Sequence, residues 1–62
     1  MSSVLYLDGK KYIIEGTILD TVVNINLNPD SFLFLIDGIL IPSDTVPEDG
    51  KVVEAIAVAS GG

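Results

Sequence analysis

The chain has 62 residues, lacks Cys, His, Trp and Arg, and carries three Lys against nine Asp and Glu, for a formal net charge of −6. This length allows one small domain, and the missing Cys and His exclude disulfides, thiolate nucleophiles, ordinary zinc sites and Ser-His-Asp catalysis. The acidic balance argues against direct nucleic-acid binding, which needs Lys and Arg to neutralise phosphates.

Hydrophobic residues make up 48% of the chain, but they are not arranged as a membrane span. The longest apolar run, Phe32–Ile36, is far shorter than the roughly 20 residues that a membrane helix needs. The first residues contain no basic segment followed by an apolar core, so no signal peptide is predicted. We therefore expect a cytoplasmic protein that does not bind membranes. Because so small a body cannot bury all of its apolar side chains, part of its surface is expected to face a partner.

The first two predicted elements form a β-hairpin. Two short runs rich in aromatic and branched residues, Val4–Leu7 and Lys11–Ile14, flank Asp8-Gly9, and Asp-Gly suits the positive φ angles of a type I′ turn. Pairing across this turn puts one set of side chains on the predicted core face (Leu5, Leu7, Tyr12 and Ile14, joined by Lys10) and a second set on the opposite face (Val4, Tyr6, Lys11 and Ile13).

The segment from Thr17 to Leu27 fits two patterns. Its second half, Val23–Leu27, alternates apolar and polar residues as a half-buried strand does. Its apolar residues also fall at helical spacing, with a stripe that comprises Ile18, Leu19, Val22 and Ile25.

The ends of this segment favour the helix. Thr17 is a suitable N-cap, and Asp20 lies in the first turn, where a carboxylate complements the helix dipole. Asn26 is placed to adopt the left-handed conformation after the last turn, with Leu27 as its hydrophobic partner. The strand interpretation explains neither end, so we predict a short helix of about two turns, stabilised by packing.

The rest of the chain predicts turns and strands. In order, it comprises a turn at residues 28–31, a strand at Phe32–Ile36 expected at the centre of the sheet, a hairpin turn at Asp37-Gly38, a short strand at Ile39–Ile41 stopped by Pro42, an exposed loop at Ser43–Gly50 and a long strand at Lys51–Ala59.

Five local patterns carry a family resemblance. They are the helix that opens on Thr17 and closes with Asn26 in place of Gly, the apolar strand that runs into Asp37-Gly38, the loop with Pro42 and Asp44-Thr45-Val46, the Glu48–Val52 segment in which Lys51 replaces an acid, and the Ala59-Ser60-Gly61-Gly62 end. Together with the element order they resemble the β-grasp sulfur carriers of the ThiS/MoaD family, which are ubiquitin-like. The short Pro42–Gly50 loop is most similar to that of MoaD-like and archaeal small modifier proteins.

The resemblance implies the fold. It is an α+β β-grasp, with a mixed five-stranded sheet and one short helix packed across one face, spanning residues 1–62 as a single domain with a flexible Gly-Gly tail at 60–62.

The resemblance also implies a function without catalytic residues, bound metal or cofactor in this chain. An ubiquitin-activating-type enzyme would use ATP to adenylate the Gly62 carboxylate, and a sulfur donor would convert it to a thiocarboxylate. Gly61 and Ser60 would thread the narrow cleft of that enzyme. The sulfur would pass to a tRNA-thiolating enzyme, which we favour, or to molybdopterin or thiamine (thiazole) biosynthesis.

A partner-binding patch is predicted from strand facing, together with the resemblance to ubiquitin-like domains and the place of their exposed patch. Phe32, Phe34 and Ile36, with Val53, Ala55 and Ala57, are expected to point inward, and Glu54 is expected to point outward with the patch. The predicted patch comprises Leu33, Leu35, Ile56 and Val58.

Two alternative functions remain open. In one, Gly62 is conjugated to lysines of target proteins, as in ubiquitin-like modifiers. In the other, the sheet face mediates assembly and the tail is inert. The remaining carboxylates have simpler roles: Asp8 and Asp37 serve turn conformation, and the acidic loop residues (Asp44, Glu48 and Asp49) form a solvated surface that steers a basic partner in preference to a metal site.

Overall fold

Residues 2–58 are described by a computed structural model, and they form a mixed five-stranded sheet with one α-helix on one face. The sheet order is β2-β1-β5-β3-β4, in which β1 and β5 are parallel and the other neighbours are antiparallel. The predicted α+β class and element order are confirmed. None of the helices within residues 2–58 has the length and apolar character to cross a membrane. The elements are β1 (Ser3–Leu7), β2 (Lys10–Ile14), α1 (Ile18–Asn24), a 3₁₀ turn (Pro29–Ser31), β3 (Phe32–Ile36), β4 (Ile39–Ile41) and β5 (Val52–Ala57).

Both predicted hairpin turns are confirmed by their backbone angles. Asp8 and Gly9 have φ of 52° and 78°, and Asp37 and Gly38 have φ of 53° and 80°. Positive φ at both central positions twists the turn to match the right-handed twist of the strands. In the first hairpin, the register puts Leu5 opposite Tyr12, and Leu5, Leu7 and Ile14 are buried, so the predicted core face is confirmed as well.

The helix begins and ends as predicted. The Thr17 hydroxyl accepts a hydrogen bond from the Asp20 backbone N–H at 3.0 Å. At the other end Asn26 has φ of 64°, and two backbone bonds close a Schellman motif, from Leu27 N–H to the Val22 carbonyl at 3.1 Å and from Asn26 N–H to the Val23 carbonyl at 3.0 Å. These bonds satisfy polar groups that a short helix otherwise leaves unpaired.

Removing the N-cap should destabilise the domain measurably. Thr17→Ala leaves the Asp20 N–H without its acceptor, and we expect it to lower the free energy of unfolding by about 1 kcal/mol. Thr17→Ser keeps the oxygen and should stay close to wild type. Urea unfolding followed by circular dichroism measures both, and equal stability of the Ala and Ser variants would contradict the role of the cap.

The predicted exposed loop, Ser43–Gly50, is partly wrong. Its backbone packs on the start of α1, where the Leu19 N–H donates to the Ser43 carbonyl at 2.8 Å and the Ile18 N–H donates to the Thr45 carbonyl at 3.1 Å. Pro47 is buried. The loop therefore supplies acceptors for the free N–H groups of the helix, which local sequence patterns do not reveal.

The hydrophobic core lies between α1 and one face of the sheet. Leu5, Ile18, Val22 and Val53 are completely buried, and Phe34 is 3% exposed. The expectation that Phe32–Ile36 is central is wrong, because parallel pairing of β1 with β5 makes β5 the middle strand and leaves β3 beside the edge strand β4.

The last strand is shorter than predicted. It spans Val52–Ala57. Its start is one residue later than predicted because the Lys51 N–H donates a hydrogen bond to the Glu48 carbonyl at 3.2 Å and so closes a turn. Ala59 lies outside the described residues. Ala57 pairs with Phe32, which puts it on the core side of the sheet. It is nevertheless exposed, so the prediction that it packs inward is wrong at this end of the strand.

Candidate functional site

The predicted tail follows the central strand of the sheet. Ser60, Gly61 and Gly62 lie outside the described residues. The last residue that is described, Val58, is held by a 2.9 Å hydrogen bond from its N–H to the Ser31 carbonyl. The point at which the chain passes out of the sheet therefore lies beside the start of β3.

The sheet face opposite the helix is apolar and uncovered by any helix or strand of residues 2–58. We call it the open face. Strand register and alternation place ten side chains on it, namely Val4, Tyr6, Lys11, Ile13, Leu33, Leu35, Leu40, Val52, Glu54 and Ile56.

Strand register puts three residues of the predicted patch, Leu33, Leu35 and Ile56, on the open face, and the fourth, Val58, follows the end of β5. Leu33 and Ile56 are direct cross-strand partners, and they are 44% and 46% exposed. Leu35 is half-buried opposite Glu54, and Val58 is 36% exposed. This end of the open face borders the Val58–Ser31 contact, so the patch and the chain leaving β5 are adjacent.

Sequence reasoning missed how far the apolar surface extends. Leu40 continues it across β4 as the partner of Leu35, and Val52 continues it toward β1 as the partner of Val4. Both are more than half exposed. The hairpin pattern predicts that Val4 and its neighbours face away from the core. Only the parallel pairing of β1 with β5 shows that these residues and the predicted patch form one continuous apolar surface.

The open face holds one carboxylate. Glu54 is exposed in the middle of β5, opposite Tyr6 on one neighbour and Leu35 on the other. Lys11 lies further out, opposite Tyr6 on the edge strand β2. Within residues 2–58 the structure contains one ion pair, between Lys51 Nζ and Asp37 Oδ2 at 3.3 Å, and Lys51 lies on the helix side, where it lines a groove with Ile36 and Ile41.

A second exposed apolar area lies on the helix side. Ile39 and Val46 are 67% and 64% exposed and border a shallow groove with Ile36 and Ile41. This area is separate from the open face, which makes its residues useful controls. Among residues 2–58, no three Asp or Glu side chains come close enough together to hold a metal ion.

Comparisons with known proteins add no family assignment. No protein-family model matches the chain, and no curated protein matches it significantly. The resemblance to sulfur carriers therefore stays a prediction, and the functional proposal depends on the geometry of the open face and on the residues that follow it.

Proposed function

We propose that the protein is a β-grasp sulfur carrier, whose Gly62 carboxylate is activated by an ubiquitin-activating-type enzyme and converted to a thiocarboxylate. The proposal is supported by where the open face lies relative to the end of the chain. The open apolar face borders the end of the central strand from which the chain continues to Gly61-Gly62.

The topology is compatible with a β-grasp. A hairpin is followed by the helix, and the first and last strands run parallel side by side in the sheet. This arrangement puts the last strand in the middle, so a tail that follows it starts from a rigid base. A partner that binds the open face can then position the tail relative to its own active site.

The proposed chemistry needs only a terminal carboxylate from this chain. The Gly62 carboxylate oxygen attacks the α-phosphorus of ATP and displaces pyrophosphate, which gives an acyl adenylate. A hydrosulfide-level sulfur nucleophile then attacks the carbonyl carbon and displaces AMP, which leaves the thiocarboxylate. The partner enzyme supplies the ATP site and the catalytic groups.

The residues between the sheet and the carboxylate set its reach. Four residues follow Val58, so the carboxylate lies no more than about 14 Å beyond it when the chain is fully extended. The two glycines carry no side chain that could clash in a narrow cleft and leave φ unrestricted. Holding a chain segment in one conformation within a cleft costs conformational entropy, which contacts on the open face must offset.

Pyrophosphate exchange tests the first step. The purified protein is incubated with ATP, labelled pyrophosphate and each ubiquitin-activating-type enzyme encoded by its source organism. We expect one of these enzymes to form labelled ATP only when the protein is present. Absence of exchange with every such enzyme would contradict the proposal and would favour the assembly role for the open face.

Transfer of the product distinguishes the carrier from a modifier. A carrier yields a thiocarboxylate that is consumed when a sulfur-accepting enzyme and its substrate, tRNA in the first instance, are added. A modifier yields higher-mass adducts in which Gly62 is joined to lysines of other proteins. Intact-mass analysis of the same reaction separates these two products.

A further inference from the structure

Glu54 occupies the middle of an otherwise mainly apolar face. Tyr6 and Leu35 are its cross-strand neighbours, and Val52 and Ile56 precede and follow it on the same side of β5. Val52, Ile56 and Tyr6 are each at least 40% exposed, so a partner that covers these side chains must also cover the carboxylate.

Covering an unpaired carboxylate is unfavourable. A charge that loses its water without gaining a partner carries a large desolvation penalty, which would cancel much of the favourable apolar contact around it. A docking surface that was purely apolar at this point would therefore bind poorly. A surface that places a cation there avoids this cost.

The chain does not supply this cation to Glu54 within the described residues. Lys51 is paired with Asp37, and Lys10 lies on the helix side as the strand partner of the buried Leu7. Lys11 is two strand spacings away across β1, roughly 10 Å between backbones. Lys11, Tyr6 and Glu54 are the titratable groups that the strands place on the open face.

We propose that Glu54 selects a partner that presents an arginine within an apolar surface, and that this arginine pairs with Glu54 when the open face is covered. Arginine fits because its guanidinium is weakly hydrated, is always charged and donates two parallel hydrogen bonds to one carboxylate. The partner is the adenylating enzyme, so this inference rests on the proposed function. A second copy of the chain fits less well, because two bodies of net charge −6 repel each other.

Charge removal tests the pairing. Glu54→Gln keeps the shape of the side chain and removes its charge, and Glu15→Gln removes a matched exposed carboxylate from the segment after β2. In the pyrophosphate exchange assay we expect Glu54→Gln to raise the KM for the carrier at least about tenfold with kcat nearly unchanged, and to weaken its dependence on salt. Glu15→Gln should stay within about twofold, and Glu54→Lys should be worse than Glu54→Gln because it repels the arginine.

The outcomes separate this inference from the proposed function. In one outcome, wild type supports exchange, and Glu54→Gln has the same KM and the same thermal unfolding midpoint as wild type. This result would overturn the Glu54 pairing and leave the carrier function standing. No exchange with wild type would overturn the carrier function and the inference with it. A wild-type dimer in sedimentation that both Lys11→Gln and Glu54→Gln dissociate would also overturn the inference, because a second copy would then supply the cation.

Discussion

Deletion of Gly62 is expected to abolish adenylation. The shortened chain still ends in a glycine carboxylate, but that carboxylate is drawn back by up to about 3.5 Å. Reacting atoms must come within about 3–3.5 Å in the correct orientation, so the oxygen can no longer reach the α-phosphorus of ATP while the open face stays docked. Pyrophosphate exchange should fall to the background measured without the carrier.

Ser60→Ala is the matched control for this deletion. It keeps the length of the tail and changes only a small polar group, so its exchange rate should remain close to that of wild type. Both variants should unfold at the wild-type temperature, because the described core lies within residues 2–58. Robust exchange by the deletion variant would show that Gly62 is not the reacting residue.

Polar substitution at the centre of the predicted patch should have the second-largest effect. Leu33→Thr combined with Ile56→Thr removes two directly opposed apolar side chains and retains residues that suit a strand. The loss of their burial against a partner is worth about 3 kcal/mol, or roughly a hundredfold in affinity. We expect the KM for the carrier to rise by about that factor in the exchange assay.

The helix side of the sheet provides the control for this pair. Ile39→Thr combined with Val46→Thr changes two apolar residues that are 67% and 64% exposed and do not belong to the open face. This second pair should leave the KM within about threefold of wild type. If the two pairs had the same effect, the open face would not be the docking surface.

Local features of the fold could be predicted because neighbouring residues determine them. Asp8-Gly9 and Asp37-Gly38 adopt the positive φ angles of hairpin turns, and Thr17 and Asn26 carry the two ends of the helix. Each of these depends on hydrogen bonds or backbone angles within a few residues. Alternation along β3 and β5 likewise fixed which side chains face away from the helix.

Features that depend on distant pairing could not be predicted. No local pattern shows that β1 lies beside β5, and this pairing alone joins Val4 to Val52 and Tyr6 to Glu54. The docking of the Ser43 and Thr45 carbonyls on the helix also has no signature along the chain. The full extent of the open face and the central position of Glu54 therefore emerge only from the assembled sheet.

The missing catalytic residue types and the surplus of apolar residues fit one proposal. A carrier contributes a carboxylate and a surface by which other proteins bind it, and we propose the open face of this sheet as that surface. Intact-mass spectrometry of the protein after incubation with ATP, a sulfur source and its adenylating enzyme tests the carrier function most directly. We expect the mass to rise by the difference between one sulfur and one oxygen atom, with fragmentation placing the change at Gly62. An unchanged mass under conditions in which the enzyme is active, or a change at any other residue, would contradict the carrier function.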